Sequence, residues 1–458
     1  MAFAPSITSL RQRRRRRARR LLARVTMATL ATATMPIFAG PTRALDLESD
    51  GGLLTDTIAN RDRIRSYDAA KKFGAERVSD RDRAYAQPDG LRAGNYFIYP
   101  SIGTAVVFDD NLFATNLERV SDFRTEITPQ VRFQSQLPRH QLDLSLDGKI
   151  VNHLQHTEQD FASANARLDS ALHFDHAHTI SLSALAALEH EERSDVTSPR
   201  DARGPVEVHH ARVNGGITRD VGRLYGTFSA GFEQWDYQDT VSGAGTPLDQ
   251  DARDLEVLSA QLKVGYRVSP GYEIIGKLRA LKQWNRGDAA TDYDGIGYEA
   301  MAGVAFETNP LLRWRLLGGY GIREYEQASI DSIASSLVEG QVQWLATQRM
   351  TIYGTASRSI IDRLGSEVGG RVETLVRGKV EYELLHNLVA TFDAELKDSD
   401  FIGVSRLDRT WSAKLGLDYY HTKNWLFTFA YEHQMRDSND DAFDVTRNRF
   451  TVGAKLRF

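Results

Sequence analysis

The most constraining feature of the chain is a two-residue rhythm at its end. Phe450, Val452, Ala454, Leu456 and Phe458 occupy every second position, and Arg449, Thr451, Gly453, Lys455 and Arg457 fill the places between. A β-strand sends successive side chains to opposite faces, so this segment has one apolar and one polar face; a helix would mix the two sets. The rhythm recurs along the chain. Leu142, Leu144, Leu146 and Ile150 alternate with Gln141, Asp143, Asp147 and Lys149. Leu312, Trp314, Leu316, Tyr320 and Ile322 alternate with Arg313, Arg315 and Arg323, and Trp425, Phe427, Phe429 and Tyr431 with Leu426, Thr428, Ala430 and Glu432.

The connections between these segments come in two sizes. Short polar breaks fall at 137–140, 175–178, 220–223, 269–271, 308–310, 347–349, 386–387 and 422–424. Longer ones fall between them, at 109–121, 157–160, 193–205, 238–251, 286–292, 327–331, 362–369, 399–405 and 437–442. Alternation of tight turns and long loops predicts an all-β, antiparallel, up-and-down transmembrane barrel, with turns in the periplasm and loops outside. Counting from Tyr96 gives about 18 strands (16–18), wide enough for an aqueous lumen.

A Lys or Arg facing lipid at mid-bilayer costs about 2–4 kcal/mol, so the charged faces are expected to line the interior. The basic set is Lys263, Arg267, Lys277, Arg279, Arg313, Arg315, Arg323, Arg377, Lys379, Arg447, Arg449, Lys455 and Arg457. The acidic set is Asp143, Asp147, Glu233, Glu381, Glu383, Asp393 and Glu395. Rows of opposite sign facing each other would filter solutes by charge. Aromatics near the segment ends, among them Phe97, Tyr99, Tyr266, Tyr353, Tyr382 and Trp425 at one rim and Trp235, Trp411 and Tyr431 at the other, read as interfacial girdles.

The first 44 residues read as an export signal. Ten arginines and no acid precede Leu45, and an apolar run from Val25 to Ala39 leads to small residues at the Thr42-Arg43-Ala44 cleavage site. Without them, 47 Lys and Arg face 61 Asp and Glu, a net charge of −14 that disfavours nonspecific nucleic-acid binding. The absence of cysteine suits an oxidising compartment and excludes thiolate metal sites. Residues 45–93 carry both charge signs densely and lack the strand rhythm, which reads as a polar periplasmic segment or a small plug; 94–458 is the barrel.

Residues 102–113 end in Phe108-Asp109-Asp110-Asn111-Leu112-Phe113, which resembles the aromatic-Asp-Asp-Asn-apolar-Phe signature of the putative beta-barrel porin 2 family. The resemblance implies a cell outer membrane location in a Gram-negative bacterium and, for some members, an association with exopolysaccharide synthesis. The terminal Phe458 on a strongly alternating strand looks like the signal that barrel assembly machinery recognises. The expected partners are outer-membrane lipids, lipopolysaccharide, that machinery and polysaccharide export components.

Other constellations favour plain structural roles. Asp109, Asp110 and Asn111 are oxygen ligands of the kind calcium takes, but no Gly-punctuated loop with a terminal Glu follows, and a strand-to-loop turn explains them. His173, His176 and His178 flank a predicted turn and read as solvated. No Gly-x-Ser-x-Gly is present. The expectation is a channel without cofactor, metal or chemical step. The alternatives are a non-conducting barrel that docks periplasmic partners through 45–93, and a barrel hydrolase.

Overall fold

The computed structural model describes residues 77–80, 87–285, 293–309, 311–327, 330–362 and 370–458. The expected export signal and most of 45–93 lie outside the described residues.

Eighteen long strands form one sheet. They are β1 Tyr96–Asp109, β2 Asp122–Ser135, β3 His140–His153, β4 Phe161–His173, β5 His178–His190, β6 Glu207–Val221, β7 Leu224–Tyr237, β8 Leu255–Ser269 and β9 Tyr272–Asn285. They continue with β10 Gly295–Asn309, β11 Leu312–Tyr325, β12 Ile333–Thr347, β13 Met350–Ile361, β14 Gly370–Leu385, β15 Leu388–Ile402, β16 Arg406–Tyr420, β17 Trp425–Ser438 and β18 Val445–Arg457. Each strand pairs antiparallel with its neighbours in sequence, and β1 pairs with β18, which closes the barrel. Closure leaves no long free edge to recruit another chain. A three-residue strand, Leu91–Ala93, doubles back onto Tyr96–Ile98 through Gly94 at φ 64°, a left-handed position that glycine adopts without strain.

The connections sort by end as the sequence indicates. At one end are tight turns, such as Gly222-Arg223 and Pro270-Gly271; at the other are excursions including 110–121, 191–206 and 238–254. One differs from expectation. Strand β15 runs on to Ile402 because Ser399 and Phe401 still pair with Asp408 and Arg406, so the connection expected at 399–405 shrinks to 403–405.

Residues directly opposite in an antiparallel ladder share a face, so the register fixes both sides of the wall. One side is apolar and open: Val452 is 60% exposed, Leu278 57% and Phe228 55%. The other is polar and closed in: Arg323 is 2% exposed, Arg447 3% and Glu381 4%. Hydrocarbon outside and hydrated charge inside invert the plan of a soluble barrel. Among the described residues no helix is long and apolar enough to cross a membrane; a barrel crosses with strands.

Part of the aromatic expectation is corrected. Tyr266, Tyr382, Trp411 and Trp425 face outward and are each at least 39% exposed. Phe97 and Tyr99, opposite Gln134 and Arg132, face inward, as does Trp235, whose ring stacks on His210 at 3.6 Å. Tyr353 also lies inside, 5% exposed, with Lys379 over its ring. Their parity along the strand decides this, whatever their height in the wall.

Candidate functional site

The register puts all twenty charged residues named from the sequence on the inward face. They do not form two opposed rows. Most pair with what a side chain can reach on its own or a nearby strand, since strands lie about 4.8 Å apart and a lumen is far wider. Arg313 meets Glu307 at 3.0 Å, Lys277 and Arg315 share Glu339 at 2.8 and 3.2 Å, and Arg279 and Arg323 share Glu299 at 3.4 and 2.6 Å. Arg267 bridges Asp220 and Glu273, Arg377 holds Asp393, Lys379 holds Glu381, and Glu233 takes both His210 and Arg212. Asp143 takes Arg132 at 2.6 Å, Lys455 donates to Gln130, and Arg457 lies over the Tyr420 ring. Lys263, Asp147, Glu383 and Glu395 complete the inward set.

The family-like motif turns out to sit at the closing seam. Asp109, 1% exposed, accepts from Arg447 on β18 through both Nε and Nη2, at 2.9 and 2.5 Å. Asp110 accepts from the backbone N–H and the side-chain amide of Asn448, each at 2.6 Å. Asn111 is fully buried and donates to the carbonyls of Thr446 and Thr115, while its own oxygen accepts from Thr115 N–H. Phe108 faces outward between Phe123 and Phe450, and Leu112 is buried beneath the loop. Phe113 meets the His156 ring edge-on. These acids are thus occupied by chain, which leaves no open coordination sphere. At the other end of the seam the Phe458 N–H donates to the Pro100 carbonyl at 3.0 Å.

Residues 191–206 form the feature that the sequence did not single out. This connection leaves the wall between β5 and β6, yet its first half is held by strands β15 to β18. Arg447 and Arg449 reach Glu192 at 3.3 and 3.1 Å, and Arg436 donates to the Ser194 carbonyl at 2.9 Å. Val196 packs on Phe401 and Val404, and Arg406 donates to its carbonyl. Arg449 and then Arg447 hold the Glu192 carboxyl well below the usual carboxylate range, against the opposing effect of burial. The loop therefore stays anionic at its tether through ordinary pH.

The root of the loop is braced by its neighbours. Arg253 pairs with Glu191 and lies over the Tyr237 ring. Arg193 donates to Gln159 and to the Ala202 carbonyl, Gln159 donates to the Arg203 carbonyl, and Ala202 bridges Ser242. With both ends fixed, the segment lies against the inward face of β15 to β18 at the long-loop end. Between its tip and the wall lies a polar cavity of about 220 Å³, lined on the wall side by Arg371, Glu373, Lys397, Thr410, Gln434 and Arg436. The signal that could have revealed it is the run Glu191-Glu192 beside an excess of inward arginines on β17 and β18.

The histidines do not converge. His178 turns to Asp175 at 2.8 Å and His173 to Thr179 at 3.1 Å. Asp239, Asp249 and Asp251 do lie together on 238–254, and two of them already accept backbone N–H groups. Ser163, His190 and Glu207 stand in line on three adjacent strands. Nδ1 rather than Nε2 faces the serine at 3.1 Å, however, and the carboxylate is 3.8 Å from the ring, beyond hydrogen-bond reach.

A closed eighteen-strand wall, apolar outside and ion-paired inside, with an inward loop, defines a porin-like outer-membrane β-barrel. The chain belongs to the family described as Putative beta-barrel porin 2, whose model matches residues 83–458. Among solved structures, Pseudomonas aeruginosa OpdK crystallised with vanillate is similar at 10% identity, covering 79% of this chain and 99% of that one, with a TM-score of 0.42. Acinetobacter baumannii OccAB4 shows 11% identity over 79% and 98% of the two chains, TM-score 0.42. Pseudomonas aeruginosa OccK5 (OpdH) shows 12% over 79% and 98%, TM-score 0.40. No curated protein matches the chain.

Proposed function

We propose that the protein is a passive outer-membrane channel in which loop 191–206 sets the aperture and the ion-paired wall sets which solutes pass. The observation that carries this reading is the tether of Glu192 to Arg447 and Arg449, far around the wall from where the loop begins. Such a tether narrows the interior without closing a catalytic site. Planar-bilayer recording of the refolded protein tests it. Steady conductance that rises when residues 192–204 are replaced by a short Gly-Ser link supports it, and a barrel sealed at every voltage overturns it. An association with exopolysaccharide export, which the family resemblance implies, belongs to the same proposal. Polysaccharide-synthesis genes beside this one would support it, and a neighbourhood without them would count against it.

We further propose that 45–93 acts as a small plug at the short-turn mouth rather than as a docking arm. Val78 supports this: it is fully buried, and its N–H donates at 3.0 Å to Thr351, inward-facing at the start of β13. Deleting 45–93 discriminates. Raised conductance favours the plug, whereas unchanged conductance with loss of a periplasmic partner favours docking.

A further inference from the structure

Most inward charges are matched within ion-pair distance. Two that line the cavity under loop 191–206 are not. Among the described residues the Lys397 side chain, which shares its strand face with Glu395, makes no ion pair or hydrogen bond, and Arg436 donates only to the carbonyls of Phe443 (2.7 Å) and Ser194 (2.9 Å), with Asp408 and Asp195 nearby but outside ion-pair distance. Arg371, across the cavity, is already taken by Glu373 at 3.2 Å. A third group is also unmatched: the buried Gln434 side-chain oxygen has no donor. A cation 4% exposed, as Arg436 is, is costly to keep without a carboxylate in direct contact. A buried acceptor without a donor is costly too.

These three demands define a ligand. Lys397 and Arg436 ask for an anion, and Gln434 asks for a hydroxyl. A dianion would be opposed by Glu192, Asp195 and Glu373 in the same lining, so a single carboxylate fits better than a phosphate. Among the described residues no aromatic ring lines the space, so stacking is not the mode of holding a sugar there. At about 220 Å³ it is smaller than the ~300–1,000 Å³ of drug-sized pockets and suits one ring. We infer that this cavity is a binding site for a monosaccharide-sized sugar acid, its carboxylate between Lys397 and Arg436 and a hydroxyl donating to Gln434. The inference rests on loop 191–206 being the constriction of a conducting channel.

Single-channel recording with D-glucuronate, D-glucose and acetate on the same side tests it. Glucuronate carries both demanded groups, while glucose lacks the charge and acetate the hydroxyls. Glucuronate is expected to interrupt the current at concentrations at least about tenfold below the other two, and Lys397→Gln to raise its half-blocking concentration about tenfold, the scale of one charge-assisted hydrogen bond. Lys397 is the cleaner position because among the described residues its side chain makes no ion pair or hydrogen bond; Arg436→Gln, which also frees the Ser194 carbonyl, is the second variant. Equal potency of glucose and glucuronate, or an unchanged half-block in Lys397→Gln, overturns the site. Current without any glucuronate block removes the site and leaves the channel standing. If no current flows at all, the channel reading fails, and calorimetry of glucuronate on the detergent-solubilised barrel decides the site: heat abolished by Lys397→Gln supports it, and no heat overturns it.

Discussion

The seam between β1 and β18 and the hairpin β14–β15 are both antiparallel ladders, but they are secured differently. The hairpin ladder runs nearly the whole strand length, from Gly370–Ile402 to Leu385–Leu388, with a tight turn joining its strands. The seam ladder runs only from Ser101–Arg457 to Asp109–Arg449, and no turn connects its strands. A covalent turn holds the register of a hairpin at little entropic cost; at a seam the two strands come from opposite ends of the barrel sequence. Side chains supply what the turn cannot. Asp109, Asp110 and Asn111 grip Arg447, Asn448 and Thr446, each from one strand to the other. Conservative-looking polar residues at a strand end can thus carry closure itself.

Substitutions can break or sharpen that contrast. Arg447→Ala takes from buried Asp109 its closest partner, leaving Arg124 at 3.6 Å and the Asn111 N–H, and is expected to cost about 3 kcal/mol in urea unfolding from lipid vesicles, the low end for breaking a buried pair. If it proves no worse than a hairpin change, the seam is not specially secured. Asp110→Ala removes both acceptors of Asn448 and should cost about 1–3 kcal/mol in the same assay, with slower barrel assembly. Within the hairpin, Arg377→Ala, which frees Asp393, is expected to cost only about 1–2 kcal/mol, because water in the lumen screens a pair that is 24% and 13% exposed. Lys423→Gln breaks an exposed contact to Asp89 and should change stability by less than about 1 kcal/mol.

The smallest effect is acid-dependent. His178, then the Ala177 N–H, holds the Asp175 carboxyl down to about 2 from an ordinary 3.8. A depressed carboxyl contributes stability above its unfolded value and loses it as pH falls through the folded one. Thermal unfolding followed from pH 5 to pH 2 should therefore fall more steeply in the wild type than in Asp175→Asn. The turn is solvent-exposed, so the difference is expected to be slight.

Much of the wall was legible because one rule, period two, governs every stave, and because turn and loop lengths sort by end. Arg313, Glu381 or Lys455 needed only their parity to be placed. The inward loop was not legible in that way. Residues 191–206 look like any polar connection, and what pulls them inside is Arg436, Arg447 and Arg449, more than two hundred residues later. The same distance hides the work of Asp109 and Asp110, whose partners come from the last stave. Trp235 and Tyr353 show a third limit: aromatic character invited a girdle, while their parity pointed inside.

A cylinder whose opening stave is completed only by its closing one cannot be finished piecemeal from the ribosome or the translocon. Any product stopped short of β18 would expose the edge of β1 from Ser101 to Asp109, with Asp109 parted from Arg447 and Asp110 from Asn448. Closure at Asp109–Arg447 thus waits on the arrival of β18.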